Sequence, residues 1–354
     1  MKKTNRLMAM AFAGVMAFLL AGCSSKPAET TAAAAETTAA PETNAAESKG
    51  ETTVAADAAD GKTFKIGVIQ LVQHEALDSS NKGFFAALDD AGIQYEVDQQ
   101  NASGEQANCL TIAEKLVNDG NDLILAIATP AAQAVAGVTE DIPILLTAVT
   151  DPAASGLVND NAKPGVNVSG TSDLTPVKEQ IELLQQILPD AKHIGLLYCS
   201  AESNSELQIA MAKEACDAAG ITYEEYTVPS SNEIQSVVES MVGKIDALYM
   251  PTDNTIAAGI ATVAMVANDN KIPTICGEAG MVNGGGLATY GIDYYQLGYL
   301  AGEQAIDILV NGADIKEIPI GYLPADRCEL TVNKTTAEAL GIDISGLDGA
   351  VVVE

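Results

Sequence analysis

A stretch that occurs twice limits the folds open to this chain more than any other feature. Residues 65 to 96 read KIGVIQLVQHEALDSSNKGFFAALDDAGIQYE, and residues 193 to 224 read HIGLLYCSAESNSELQIAMAKEACDAAGITYE. Ile66-Gly67 returns as Ile194-Gly195, and Ala91-Gly92-Ile93 with Tyr95-Glu96 returns as Ala219-Gly220-Ile221 with Tyr223-Glu224, all at one offset of 128. Each copy holds a short apolar run, a polar loop, a helical stretch ending at Gly and a second strand, which together make a βαβ unit. Two copies at so long a spacing describe two similar lobes rather than a solenoid.

The remaining pattern extends both copies. In the first lobe, strands are expected at 65–71, 94–98, 123–128 and 142–149, with helices at 79–91, 106–119 and 130–138. The second lobe opens at Thr175-Pro176, where Thr can cap a helix and Pro fits its first turn, and strands follow at 193–199, 222–228, 247–250 and 272–277. Apolar strands alternating with helices indicate parallel sheets covered on both faces. The expected fold class is α/β, two similar doubly wound parallel-sheet lobes. A helix at 294–310 and a short strand at 318–323 would complete the sheets by crossing between lobes near 170–174, 288–292 and 318–323. Lobe 1 would then be 63–172 plus 292–317, and lobe 2 would be 173–291 plus 318–354.

Composition removes several function classes. A formal charge of −30 argues against nucleic acid, because phosphate binding needs a basic surface. Lys2, Lys3 and Arg6 precede an apolar run from Leu7 to Leu20, too short for an ordinary membrane span and shaped like an export signal. It ends in Leu20-Ala21-Gly22-Cys23, which resembles the processing box of bacterial lipoproteins. On that reading residues 1–22 are a signal peptide, Cys23 receives the lipid, and the rest is held outside the cytoplasm at the cell membrane. Residues 24–62, built of Ala, Thr, Glu and Pro, are expected to form a disordered tether. With two histidines and no CxxC, neither a metal site nor a disulfide framework is expected.

Ligands of open parallel sheets bind beyond the carboxyl ends of the strands, so the loops after each strand hold the candidate residues. The strand at 123–128 runs into Thr129-Pro130, a helix start able to receive a carboxylate. Thr150 and Asp151 repeat that design after the next strand, Asp151 with capping as its first expected role. The loops after the first strand of each lobe contribute Gln73 and Glu75, and Asn204 and Ser205. Asp253, Asn254 and Glu278 complete the set, with one of the 253/254 pair expected to be only a cap. GxSxG, HExxH and GxxxxGK[ST] are all absent; no catalytic residue, cofactor or metal is expected.

LILAIATPAAQA (123–134), TAVTDP (147–152), SDLTPVKEQIELLQQILPDAKHIGLLY (172–198), PTDN (251–254) and LATYGIDYYQLG (287–298) resemble the substrate-binding lipoproteins of bacterial ABC transporters. The resemblance covers Phe64 to Ile344 and implies a type 1 periplasmic-binding-protein fold with a three-segment hinge. It also implies an aromatic amino acid as ligand, an ABC permease with its cytoplasmic ATPase as partners, and a monomer. An amino acid would then set its carboxylate at Thr129 and its ammonium near Asp253 or Glu278. Sugar or nucleoside binding on the same fold, and a surface enzyme, stay open as alternatives. A chain without Trp is poorly equipped to stack a sugar ring.

Overall fold

A computed structural model describes residues 61–324 and 327–354. The export-type segment, Cys23 and nearly all of the tether stretch lie outside the described residues. The first sheet is built from β1 (Phe64–Gln70), β2 (Tyr95–Asn101), β3 (Leu123–Ile127), β4 (Ile144–Val149) and β5 (Val168–Ser172). Its order is β2-β1-β3-β4-β5, with every neighbouring pair parallel. β3 (LILAI), β4 and β5 are buried along their whole length, as strands covered on both faces must be. β2 (YEVDQQN), paired on one side only, leaves residues at the edge exposed and carries the polar side chains that suit such a position.

Helix α1 (Glu75–Asp90) turns Leu77, Ser80, Phe84, Ala87 and Leu88 inward at helical spacing. α2 (Gln106–Asn118) and α3 (Thr129–Ala136) cover the opposite face of the sheet. The second lobe takes α4 (Val177–Ile187), β6 (His193–Cys199), α5 (Ser203–Ala219), β7 (Thr222–Val228), α6 (Ile234–Met241), β8 (Ala247–Met250), α7 (Asn254–Ala258), α8 (Ile260–Asp269), β9 (Thr274–Cys276), α9 (Ala279–Asn283) and β10 (Ala288–Gly291). The chain then returns to the first lobe as α10 (Tyr294–Leu309), which packs on α1, β4 and β5. It ends in the second lobe with β11 (Glu329–Asn333), α11 (Lys334–Leu340) and β12 (Val351–Val353). The second sheet has the order β12-β11-β10-β9-β8-β6-β7. Only its β10–β11 pair is antiparallel.

Three local expectations change. Helix α1 starts at Glu75 rather than 79, and α5 starts at Ser203, so Glu75, Asn204 and Ser205 stand in first helical turns instead of loops. His74 and Glu202 are the extended residues that cap these turns, and the acids that follow, Glu75 with Asp78 and Glu206, suit a helix N-terminus. The strand expected at 318–323 shrinks to one bridge between Gly321 and Thr171. Pro319 has no N–H to give, and Gly321 N–H bonds to Gly170 O at 2.8 Å, so 318–321 still runs along the first sheet. The chain joins the second sheet only at β11.

The α1–α10 contact ties the returning helix to its lobe at backbone distance. A Cβ on Gly298 would stand 1.9 Å from Ser80 O, and one on Gly83 would stand 1.9 Å from Tyr295 O. Replacement of either glycine must push the helices apart. Gly298→Val is expected to cost about 3 kcal/mol or more, read as a lower midpoint in urea unfolding, whereas Gly346→Ala, with nothing within 4 Å of its Cβ position, should leave the midpoint unchanged.

Candidate functional site

The carboxyl ends of the parallel strands in both lobes face one cleft, and the lobes bond directly across it. His74 Nε2 lies 3.2 Å from Asn254 Oδ1, and Asn283 Nδ2 donates to Glu75 Oε1 at 2.6 Å. Gln106 Nε2 donates to Ala201 O at 2.8 Å, and Gln208 Nε2 to Thr150 Oγ1 at 3.3 Å. These contacts join α1, α2 and the β4 loop to the opposite lobe, so the described form is closed. Between them lies a small cavity of about 10 Å3, lined by His74, Leu77, Asp173, Thr252, Asp253, Asn254, Ala257, Glu278 and Tyr294.

The sequence candidates do not all reach the cavity. Asp253, Asn254 and Glu278 line the cavity. Thr150, Asn204 and Ser205 are buried and bonded to the wall at Thr252, Asp253 or Gln208, Thr129 is buried at the start of α3, and Gln73 and Glu75 are exposed at the rim. Asp151 is held in its own turn, where its Oδ1 accepts from Ala153 N, Ala154 N and Asn161 Nδ2 at 2.9–3.1 Å, and it is not among the residues lining the cavity. Asp253 is a cap as well. Its Oδ1 accepts from Ile256 N at 2.8 Å, and its Oδ2 accepts from Cys199 N and Ser205 Oγ at 2.6 and 2.7 Å. Glu278 accepts from Met281 N at 2.9 Å and from Gly280 N, again at a helix start. Both carboxylates that the sequence nominated for an ammonium therefore hold helix α7 or α9 in place.

The site also holds residues that were not nominated. Asp173 and Tyr294 sit on two segments that cross between the lobes, and the Tyr294 hydroxyl donates to Asp173 Oδ2 at 2.8 Å. Asp173 Oδ1 is buried and meets no donor among the described residues. His74 Nδ1 is likewise buried without a partner. Glu202 lies behind the wall, where both its oxygens accept from the backbone and side chains of Asn254 and Thr255 at 2.6–3.2 Å. A signal for Asp173 existed in the sequence: it is the one acid inside a crossing segment of small polar residues. His74 stood between two nominated residues. Nothing local marked Tyr294 or Glu202.

The lining is acidic, and no Lys or Arg stands among the residues of the cavity. Burial pushes Asp173 up to about 6 against the opposing effects of the Tyr294 and Thr150 hydroxyls, and pushes Glu278 up to about 7. Asp253 is raised by burial and by the charge of Glu202 beside it. Burial also lowers His74, against the raising effects of Asn254 and the nearby acids, which favours the neutral ring. Backbone strain borders the same cleft: Ala128 and Ala148, neither of them glycine, have φ of 81° and 55° directly before Thr129 and Val149-Thr150.

Two outcomes follow from these contacts. Asp253→Ala removes acceptors from the Cys199 and Ile256 N–H groups and should cost about 2–4 kcal/mol in urea unfolding. Asp173 has a raised value in the closed form, so the closed form carries no penalty from this group below its ordinary value of about 4 and the full penalty above about 6. With no ligand added, Asp173→Asn should therefore give a smaller radius of gyration than wild type by X-ray scattering at about pH 7.5, and the difference should vanish near pH 4.

Comparison with known proteins matches the geometry. Residues 65–347 match the family model described as ABC transporter substrate binding protein. A protein of Clostridioides difficile named Tyrosine-binding protein is 44% identical over 79% of this chain and 81% of its own length. Among solved structures, an ABC domain in complex with L-Trp from Streptococcus pneumonia is 40% identical, with a TM-score of 0.79 over 83% of this chain and 100% of that one. The ligand-free, open structure of a substrate binding protein with adhesive properties from Clostridium difficile is 42% identical but reaches only 0.64, over 82% of this chain and 99% of that one. At similar sequence identity the chain thus superposes better on the liganded relative than on the open one, in keeping with the direct bonds across the cleft. With its two parallel-sheet lobes of type 1 periplasmic-binding-protein architecture, this chain belongs to the ABC transporter substrate-binding protein family.

Proposed function

We propose that this protein is the lipid-anchored, extracytoplasmic receptor of an ABC importer and that its ligand is an aromatic amino acid. Cys23 would carry the lipid, residues 24–62 would tether the folded part to the cell membrane, and the monomer would hand its ligand to a permease powered by a cytoplasmic ATPase, without chemical change. A ligand that touches both lobes binds the closed form better than the open one and so shifts the hinge towards closure. That closed shape is what a permease can recognise.

The observation that carries the ligand class is the unpartnered Asp173 Oδ1 in a cavity whose lining offers carboxylates and no side-chain cation. Such a site favours a ligand that brings its own positive charge, since a buried carboxylate is stabilised by a paired and hydrogen-bonded cation. An amino acid ammonium supplies one. Its carboxylate finds N–H donors at the start of α3, where Thr129 is buried and its Oγ1 has no partner. The relatives named for tyrosine and solved with L-Trp point the same way. Asp173, rather than Asp253 or Glu278, is the residue that receives the ammonium in this reading, because the other two are occupied at helix starts.

Thermal shift with the amino acids, sugars and nucleosides tests the class. Stabilisation by tyrosine, tryptophan or phenylalanine is expected, and stabilisation by sugars or nucleosides alone would refute it. By isothermal titration, Asp173→Asn should weaken the amino acid about 10–100-fold. Unchanged affinity in that variant would remove Asp173 from the site.

A further inference from the structure

The tautomer of His74 is determined by hydrogen bonds that begin at Glu202. Both Glu202 oxygens accept from backbone N–H groups, Oε2 from Asn254 N and Oε1 from Thr255 N, so this carboxylate acts only as an acceptor. The side-chain amide of Asn254 must then turn its Nδ2 to Glu202 Oε2, at 2.6 Å. That leaves Asn254 Oδ1 facing His74 Nε2 at 3.2 Å, and an oxygen there needs a donor. His74 Nε2 therefore carries the proton. In a neutral ring the other nitrogen is an acceptor, and Nδ1, buried and unpartnered, is that acceptor.

We propose that His74 is a specificity-determining residue whose Nδ1 accepts a hydrogen bond from a donor on the ligand. The inference rests on the reading of the protein as an amino acid receptor and adds to it a requirement on the ligand's chemistry. A ligand that closes the cleft without a donor at this point leaves Nδ1 buried and unpaired, and a site built to hydrogen-bond rejects such analogues. Burial favours the neutral ring, which preserves the acceptor. Two donors of an aromatic amino acid could serve: the ammonium, shared with Asp173, or a side-chain donor such as a phenol hydroxyl or an indole N–H.

Two substitutions separate this role from packing. His74→Gln keeps a donor at the reach of Nε2, so the bond to Asn254 across the cleft survives, but it places no acceptor at Nδ1. His74→Asn places a carbonyl oxygen near Nδ1 and gives up the bond to Asn254. Titrations of the purified full-length chain with L-tyrosine should show affinity lowered about tenfold or more by His74→Gln and retained within about threefold by His74→Asn. The same titrations with L-phenylalanine identify the donor. An equal loss assigns it to the ammonium, whereas a loss confined to tyrosine assigns it to the phenol. If His74→Gln does not fold, His74→Leu takes its place in the comparison. Tyrosine affinity unchanged in the acceptor-free variant, or lowered equally in both variants, would overturn the proposal while leaving the receptor reading intact. Failure of wild type to bind any aromatic amino acid would overturn the receptor reading, and this inference with it.

Discussion

The hydrogen bond from the Tyr294 hydroxyl to Asp173 Oδ2 joins two of the segments on which the lobes turn. Asp173 stands just beyond β5, where the chain leaves the first lobe, and Tyr294 opens α10, where it returns. One carboxylate is thereby held at the pivot with one oxygen used and the other free. On the proposed reading, a ligand cation at the free oxygen would contact the hinge itself, so that recognition and closure would be one event. The arrangement depends on α10 being fixed to α1, which the backbone-to-backbone contacts at Gly83 and Gly298 provide.

The buried acids of the cleft divide the work by hydrogen-bond count. Asp253, Glu278 and Glu202 each accept from backbone N–H groups at the starts of α7 and α9. Their charges are paired with helix N-termini, where negative charge is favoured, and they build the wall. Asp173 has a phenol instead of a helix start, and His74 has one amide, so each retains an unused acceptor. Unused buried acceptors are expensive in a finished protein core. In a cleft that opens and closes they are the groups a ligand can satisfy.

Much of the architecture was legible in the chain because the periodicity that signals a βαβ unit also dictates its burial. The strands at 123–128 and 193–199 were readable from apolar runs, and the fold class followed from their alternation with helices. The antiparallel β11 and the edge strand β12 were not, because Glu329–Asn333 and Val351–Val353 are too short to show a period. For the site, the loop-after-strand rule brought Asp253, Asn254 and Glu278 to the cavity, but it did not show that both acids cap helix starts. Capping at 253 and 278 depends on whether the backbone N–H groups three residues on have any other partner, and that is a property of the folded turn.

By itself the sequence determined that the chain holds two similar α/β lobes with helix-covered parallel sheets, because duplication and hydrophobic period dictate both; that the lobes face each other across a cleft was implied by the family resemblance alone. Only the tertiary structure decided that Asp173 and His74 are among the cavity-lining groups with unpaired acceptors. Asp173 depends on Tyr294, which lies 121 residues away, and the tautomer of His74 is set through Asn254 by Glu202. Such pairings between distant segments leave no local mark, since the same residues in another register would be ordinary solvated side chains.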